Sequence, residues 1–88
     1  MPKPEKEIVI KNKQGLHARP AAAFVQIVAK HNSTVIVRKG KERVNGTSIM
    51  GILTLGVQQD SPITVEIDGE DAQNVLEELE KFLSSENI

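Results

Sequence analysis

The sequence predicts an α+β fold, an open-faced sandwich in which a four-stranded antiparallel sheet carries three helices on one face. The predicted elements follow the order strand, helix, strand, strand, helix, strand, helix. The apolar residues are enough to cover only one face of such a sheet, so the other face should be wet. With 88 residues, of which 39% are hydrophobic, the chain has room for one core. We therefore expect a single domain over residues 1–88.

The first strand and the first helix are indicated by residues 1–30. Residues 1–6 contain two prolines among charged neighbours, which indicates a frayed end. Residues 7–11 are a short β-branched run, and residues 12–15 supply the polar and glycine signals that end a strand. Proline is tolerated only in the first turn of a helix, so Pro20 places the helix start near His17. The helix runs to Lys30, with Ala21, Phe24, Val25 and Val28 on its apolar face.

The middle of the chain predicts a hairpin and a short helix. Residues 34–38 and 42–44 are β-rich runs joined by a tight turn with Gly40, so they should pair antiparallel. Thr47 or Ser48 can cap a second helix that runs to about Thr54 and stops at Gly56. Its expected apolar positions are Ile49 and Leu53, with Met50 and Ile52 as further candidates.

The last strand and helix have the clearest periodicities. Residues 63–67 alternate apolar and polar side chains, which is typical of a strand with one buried face. The acids of residues 68–71 suit the start of a helix, which should end near Ser84. An apolar stripe on that helix comprises Val75, Leu76, Leu79, Phe82 and Leu83.

Composition argues against several classes of function. A net charge of −1 and the lack of Tyr and Trp argue against a nucleic-acid partner. The absence of cysteine excludes disulfides and thiolate metal sites, and two histidines without an evident carboxylate cluster argue against a metal site of another kind. No apolar run is long enough for a membrane span, and the first residues do not form a signal peptide. We therefore expect a cytoplasmic protein without a metal or a membrane contact.

The segment of greatest chemical interest is residues 15–20, which read GLHARP. At a helix start the amides of Ala18 and Arg19 have no carbonyl partner and carry the positive end of the helix dipole, which favours an anion. His17 supplies a nucleophilic nitrogen beside the Arg19 guanidinium, which suits phosphate oxygens. A histidine before a helix is more often a cap or a surface residue. The combination of Gly15, Arg19 and Pro20 nevertheless favours a phosphoryl acceptor.

These residues resemble a known family. The sequence GLHARPAA at residues 15–22 is similar to the active-site segment of the HPr family, the histidine-containing phosphocarriers of the bacterial sugar phosphotransferase system. A second stretch, SIMGILTLG at residues 48–56, resembles the regulatory serine segment of that family at the family's distance from His17. The resemblance covers about the whole ordered chain and implies the same open-faced fold. Where Asp60 stands the family usually carries glycine, which aspartate can replace because it tolerates left-handed backbone angles.

The resemblance also implies a function. Phosphoenolpyruvate phosphorylates enzyme I, which passes the phosphoryl group to Nδ1 of His17, and His17 passes it to enzyme IIA. Arg19 and the backbone amides of Ala18 and Arg19 would contact the phosphate. Ser48 would be phosphorylated by an HPr kinase/phosphorylase, and a transcriptional regulator is a further implied partner. The chain lacks a Mg²⁺ ligand set and a nucleotide loop, so we expect a carrier rather than an enzyme, with no cofactor.

A partner-binding surface and three classes of function stay open. Side chains expected to meet partners are Ala22, Val25, Gln26, Ile49, Met50 and Leu53, although those on the first helix could equally be an ordinary core edge. The favoured function is phosphoryl carriage by a monomer. A regulatory or nitrogen-branch paralogue is the first alternative, but a regulatory relative that has given up carriage should lack the histidine. A small-ligand binding domain is the second, and so small a core hardly leaves room for its pocket.

Overall fold

A computed structural model describes residues 4–86, and residues 1–3 and 87–88 lie outside the described part of the chain. The four strands form one antiparallel sheet in the order β1-β4-β2-β3, with three helices packed against it. The predicted α+β open-faced sandwich is therefore confirmed. The strands are β1 (Glu5–Val9), β2 (Thr34–Lys39), β3 (Glu42–Asn45) and β4 (Pro62–Asp68), and the helices are α1 (Ala18–Ala29), α2 (Ile49–Thr54) and α3 (Ala72–Leu83).

The core lies between one sheet face and the helices. Alternate strand residues face it, and the register sets Ile8 opposite Ile63 and Val37 opposite Val65. This alternation follows from the two-residue period of a strand. The helices cover that face with buried side chains at helical spacing, namely Ala21, Phe24 and Val28 of α1, Ile52 of α2, and Val75, Leu76, Leu79 and Leu83 of α3.

Other strand positions carry charged side chains. Arg38 Nε lies 2.6 Å from a Glu66 carboxylate oxygen in an ion pair, and the Arg43 guanidinium is 3.7 Å from the other oxygen. A second nitrogen of Arg38 lies 3.4 Å from Glu5. These residues alternate with the buried ones, so the sheet face opposite the core is polar, as predicted.

The prediction that residues 1–6 are frayed was wrong for the last of them. β1 begins at Glu5, two residues before the predicted start, and Glu5 and Lys6 pair with Glu66 and Val65 of β4. The carbonyl of Pro4 accepts a hydrogen bond from the Ile67 amide at 2.9 Å. Proline and charge are tolerated here because β1 is an edge strand. Residues 1–3 lie outside the described part of the chain.

The first strand also ends earlier than predicted, at Val9 rather than at Lys11. The regular pairing ends at Ile10: its amide still donates to the Ser61 carbonyl at 3.0 Å, but its carbonyl accepts from the Asp60 amide at 2.7 Å, while the Ser61 amide donates to Gln58. Asp60 has a φ of 66°, which confirms the expected left-handed conformation at this position. The bonds of Ile10 hold residues 10–16 against residues 57–61, the loop before β4.

Candidate functional site

A closed turn leads the chain into α1. The amide of Gly15 donates to the carbonyl of Asn12 at 2.9 Å, and the side-chain amide of Asn12 donates to the carbonyl of Gly15 at 2.9 Å. Gly15 has a φ of 66°, and a Cβ at this position would lie 2.1 Å from the carbonyl oxygen of Val57. Only glycine fits such a left-handed position against another backbone. The next residue, Leu16, is buried and donates its amide to Val57 at 3.0 Å.

His17 is the N-cap residue of α1. Its backbone is extended, with φ −79° and ψ −171°, and its carbonyl accepts from the Ala21 amide at 3.0 Å. The imidazole makes no capping hydrogen bond, and within residues 4–86 it has no hydrogen bond or ion pair. The ring is half-buried. Its nitrogens are therefore not committed to holding the fold together.

The first two backbone amides of α1 are also without a hydrogen-bond acceptor within residues 4–86. Neither Ala18 nor Arg19 donates its amide to a carbonyl of the described residues, and both residues are exposed. Pro20 is buried and has no N–H to leave unpaired. The Arg19 guanidinium forms no ion pair with any carboxylate of residues 4–86. Two backbone donors, a helix dipole and one cation are thus available to an anion.

The structure brings His17 and Arg19 to one open cleft of about 540 Å³. The cleft is mostly basic, because Lys11, Lys13 and Arg19 face a single acid, Glu86. Lys11 is partly balanced by Asp60, 3.7 Å away. Such a charge balance favours an anionic ligand. The complete lining is Lys11, Asn12, Lys13, Gln14, His17, Arg19, Gln59 and Glu86.

Ser48 is the N-cap of α2, one of the two residues that the sequence allowed for this position. Its Oγ accepts a hydrogen bond from the Gly51 amide at 2.9 Å, and its carbonyl accepts from the Ile52 amide. Gly51 permits this close approach, since a Cβ there would lie 3.0 Å from Ser48 Oγ. Ser48 does not line the cleft of His17.

The family of the chain follows from comparison with known proteins. A family model described as the PTS HPr component phosphorylation site matches residues 4–85. The chain belongs to the HPr family.

Its relatives carry two different names. The HPr-like protein Crh of Halalkalibacterium halodurans is 40% identical over 82 residues, which cover 93% of this chain and 98% of the relative. The phosphocarrier protein HPr of Xylella fastidiosa strain 9a5c is 42% identical over 82 residues, covering 92% and 91%. The HPr family is a family of phosphocarrier proteins of the phosphotransferase system.

Solved structures agree with the fold. The crystal structure of the phosphocarrier protein HPr from Bacillus anthracis superimposes with a TM-score of 0.88 at 37% identity, covering 92% of this chain and 96% of that one. An HPr dimer from Thermoanaerobacter tengcongensis matches with a TM-score of 0.68 at 47% identity, covering 82% and 83%. Both relatives therefore share the open-faced fold of this HPr-family chain.

The predicted partner surface of this HPr-family chain divides into exposed and half-buried residues. Met50 and Ile49, at the start of α2, are exposed by 70% and 40%, whereas Ile52 is the fully buried residue of that helix. Ile49, predicted as an apolar position of α2 and as a partner-binding residue, is thus exposed, because the short helix rests on the core through Ile52. Leu53 packs at the edge of the core. On α1, which packs against α2, Gln26 is exposed while Ala22 and Val25 are half-buried.

The second histidine is structural. His31 Nδ1 lies 3.1 Å from Asp71, and Nε2 lies 2.9 Å from Glu78. Ser33 Oγ also donates to Asp71, and Lys30 Nζ lies 2.9 Å from Glu78. We call these five residues the His31 cluster. The sequence had indicated no carboxylate cluster near either histidine, because Asp71 and Glu78 are 40 and 47 residues away along the chain.

The charges of the His31 cluster shift one another's protonation. The hydrogen bond to Glu78, followed by the bond and charge of Asp71, raises the pKa of His31 above 6.5 although burial opposes this. The Ser33 hydroxyl, then His31, lowers the pKa of Asp71 below 3.8. Lys30, then His31, lowers the pKa of Glu78 below 4.5. The Asp71 carboxylate is bonded to His31 and Ser33 and makes no side-chain cap on α3, although the acids of residues 68–71 are expected to favour that helix start.

Asn12 is a site residue that the sequence reasoning did not single out. Its side chain is 7% exposed, lines the cleft of His17 and bonds to the turn before it. Asparagine three residues before glycine is typical of a turn in which the side chain bonds to the backbone, and this spacing was the available signal.

Neither a metal-binding group nor a membrane-spanning helix is found among the described residues. Within residues 4–86, no group of three or more His, Asp or Glu side chains is arranged so that it could hold a metal ion. No helix in this part of the chain is both long enough and apolar enough to cross a membrane.

Proposed function

We propose that this HPr-family chain carries a phosphoryl group on His17, taking it from phosphorylated enzyme I and passing it to enzyme IIA of the sugar phosphotransferase system. The observation that supports this most directly is the unpartnered His17 imidazole at the start of α1, in one cleft with Arg19. A residue that served only to cap the helix would bond to its amides. The imidazole of His17 does not.

The chemistry follows from the surroundings of the ring. A lone pair on the neutral His17 imidazole attacks phosphorus, a new P–N bond forms at Nδ1, and the bond from phosphorus to the donor breaks. The amides of Ala18 and Arg19, which have no acceptor among the described residues, and the Arg19 guanidinium would donate hydrogen bonds to the phosphate oxygens. The chain acts as a carrier rather than as an enzyme, and it uses no cofactor. An open cleft suits this role, because a carrier that bound its phosphate too tightly would fail as a donor.

Partner proteins dock beside this cleft in the proposed function. The docking surface comprises residues 22–26 of α1 and the exposed start of α2, where Met50 and Ile49 present apolar area. Apolar residues with this exposure are typical of protein contact sites. The docking residues are Ala22, Val25, Gln26, Ile49, Met50 and Leu53. The protein would act in the cytoplasm as a monomer.

Ser48 provides regulation in this proposal. An HPr kinase/phosphorylase would phosphorylate the Oγ atom that now accepts from Gly51, next to the exposed Ile49 and Met50. The added negative charge would weaken docking to enzyme I and create a surface for a transcriptional regulator. Ser48→Asp should therefore slow phosphoryl transfer from enzyme I. A rate equal to that of the unmodified protein would contradict the proposed inhibition.

A regulatory or nitrogen-branch paralogue is the second candidate. It is favoured by the similarity to the HPr-like protein Crh, at 40% identity over nearly the whole chain. Such a protein would act mainly by binding other proteins. Against it stands the retention of His17 together with Arg19 and Pro20.

Intact mass spectrometry separates the two candidates. The protein is incubated with phosphoenolpyruvate and enzyme I, beside a His17→Ala variant and an acid-treated sample. Carriage predicts one added phosphate that acid removes and that the variant never gains. His31→Gln is the matched control, and it should gain the phosphate because His31 lies in a different cluster. No added phosphate on a folded protein with active enzyme I would favour the regulatory candidate.

A further inference from the structure

Asn12 is unusual among the polar residues of this fold because it is buried. Within residues 4–86, only Asn12 and Ser33 are polar or charged residues that are buried, at 7% and 8% exposure. A buried carboxamide is costly unless it is hydrogen-bonded. Asn12 meets this requirement by donating from Nδ2 to the Gly15 carbonyl at 2.9 Å. Together with the bond from the Gly15 amide to the Asn12 carbonyl, this closes the turn from both sides.

The closed turn is also anchored to the opposite loop. Gly15 lies so close to Val57 that a Cβ would meet its carbonyl at 2.1 Å, and the Leu16 amide donates to the same oxygen at 3.0 Å. The turn and residues 57–61 therefore act as one unit. His17 leaves this unit two residues after Gly15.

The position of the His17 ring depends on this backbone. The imidazole has no hydrogen bond or ion pair within residues 4–86, so no side chain orients it directly. In the same described range, Asn12 is the only residue whose side chain bonds to the backbone of residues 13–19. The turn that it closes thus fixes where the ring emerges into the cleft.

We propose that Asn12 is a positioning residue for His17, acting through the carbonyl of Gly15. This inference rests on the proposed function of His17 as phosphoryl acceptor. Loss of the bond would widen the positions that the ring occupies without changing the docking surface on Ile49 and Met50. Misplacement of a reacting group slows the chemical step strongly, whereas binding of the partner should persist.

The test measures steady-state phosphorylation by enzyme I for Asn12→Ala and Asn12→Asp. Aspartate keeps the size and the turn preference of asparagine but, when ionised, has no proton to donate to the Gly15 carbonyl. With either variant as the substrate of enzyme I, kcat should fall by about ten-fold or more, and KM for the variant should stay within about two-fold of the parent value. The matched control is Asn74→Ala, because Asn74 is an exposed asparagine on α3, does not line the cleft and forms no side-chain hydrogen bond with residues 4–86. Its kcat should stay within about two-fold of the parent value.

Nuclear magnetic resonance of the variants distinguishes positioning from loss of fold. The variants should keep the amide signals of β2 and β4 while the His17 ring and Leu16 amide signals shift or broaden. An unchanged kcat in Asn12→Asp, or a rise in KM that accounts for the whole loss, would overturn the inference. A parent protein that gains no phosphate would instead refute the proposed function, and unmoved His17 signals in a folded Asn12→Ala would then refute the positioning as well.

Discussion

Among single residues, the two histidines lie in opposite environments. His17 has no bonded partner in the described chain, and its ring opens on a basic cleft. His31 lies between the carboxylates of Asp71 and Glu78. A histidine saturated by two carboxylates joins two parts of a fold, whereas an unbonded one at a helix start is available for reaction. The surroundings, rather than the residue type, therefore separate the candidate acceptor from the structural residue.

The His31 cluster predicts a pH dependence of stability. Because the folded pKa of His31 is raised, its contribution is complete below 6.5 and is lost as the pH rises through the folded pKa. Because the pKa values of Asp71 and Glu78 are lowered, their contributions are present above 3.8 and 4.5 and are lost as the pH falls through the folded values. The cluster should therefore stabilise the fold most between pH 4.5 and 6.5.

The measurement is urea unfolding of His31→Gln and the parent protein at several pH values from acid to alkaline, followed by circular dichroism because the chain has no Tyr or Trp. The loss of unfolding free energy in the variant should be greatest between pH 4.5 and 6.5 and should shrink in alkaline solution. Gln73→Ala, an exposed position on α3, should show no such dependence. A difference that is constant from acid to alkaline pH would mean that the charges of the cluster do not contribute.

Among the elements, the turns and caps that begin α1 and α2 control the site. α1 begins behind a glycine turn packed on residues 57–61, and α2 begins at the Ser48 cap. Neither helix has an acid in its first turn; Ser48 supplies an acceptor for an amide of α2, whereas the first amides of α1 stay without one among the described residues. Changes at the helix starts should therefore affect stability and site geometry together.

Gly15→Ala should be strongly destabilising. A left-handed φ alone costs a residue with a side chain about 1 to 2 kcal/mol, and the added Cβ would also overlap the Val57 carbonyl. Gly40→Ala is the matched control, because Gly40 has a similar φ of 59° with no atom within 4 Å of the added carbon. Thermal unfolding should rank Gly15→Ala well below Gly40→Ala. Equal melting temperatures would show that the backbone of residues 57–61 moves away from the added Cβ at little cost in stability.

Ser48→Ala should cost about 1 kcal/mol of stability, because the Gly51 amide loses its acceptor. Urea titration measures this loss. Ser48→Asp should recover most of it, since aspartate also caps helices well. This recovery matters for regulation, because it would mean that slower phosphoryl transfer in Ser48→Asp arises from charge and not from a melted helix. A Ser48→Asp protein less stable than Ser48→Ala would contradict this account.

For the whole molecule, the sheet has two edges that could recruit another chain. β1 and β3 are the outer strands, and both carry charged residues, among them Glu5, Lys6, Glu42 and Arg43. Charged edge strands resist pairing with further strands. The net charge of the chain is only −1. Its charged side chains nevertheless protect the sheet edges against strand pairing and make the cleft of His17 basic.

We expect the protein to be a monomer in solution, although one relative of known structure is an HPr dimer. Sedimentation velocity at several protein concentrations should give the mass of one 9.6 kDa chain throughout. Replacing the edge charges, as in Lys6→Val with Glu42→Val, should promote association. A concentration-dependent dimer of the parent protein would show that charge on the edges does not prevent pairing.

The sequence by itself determined the features that depend on neighbouring residues. Three features are short-range consequences of backbone geometry, and the structure contains each of them: the alternation in residues 63–67, the start of α1 near His17 with Pro20 in its first turn, and the Ser48 cap. The same locality explains why the pairing of His17 with Arg19 could be predicted. Two residues apart at a helix start, they meet in one cleft.

Only the tertiary structure decided the contacts between distant segments. The ordering of Glu5 depends on β4, and the burial of Ile52 instead of Ile49 depends on how α2 rests on the core. The carboxylates on His31 come from 40 and 47 residues away. Such contacts depend on how the elements pack, which periodicity along the chain does not specify, because a two- or 3.6-residue repeat defines which face is apolar but not which element covers it.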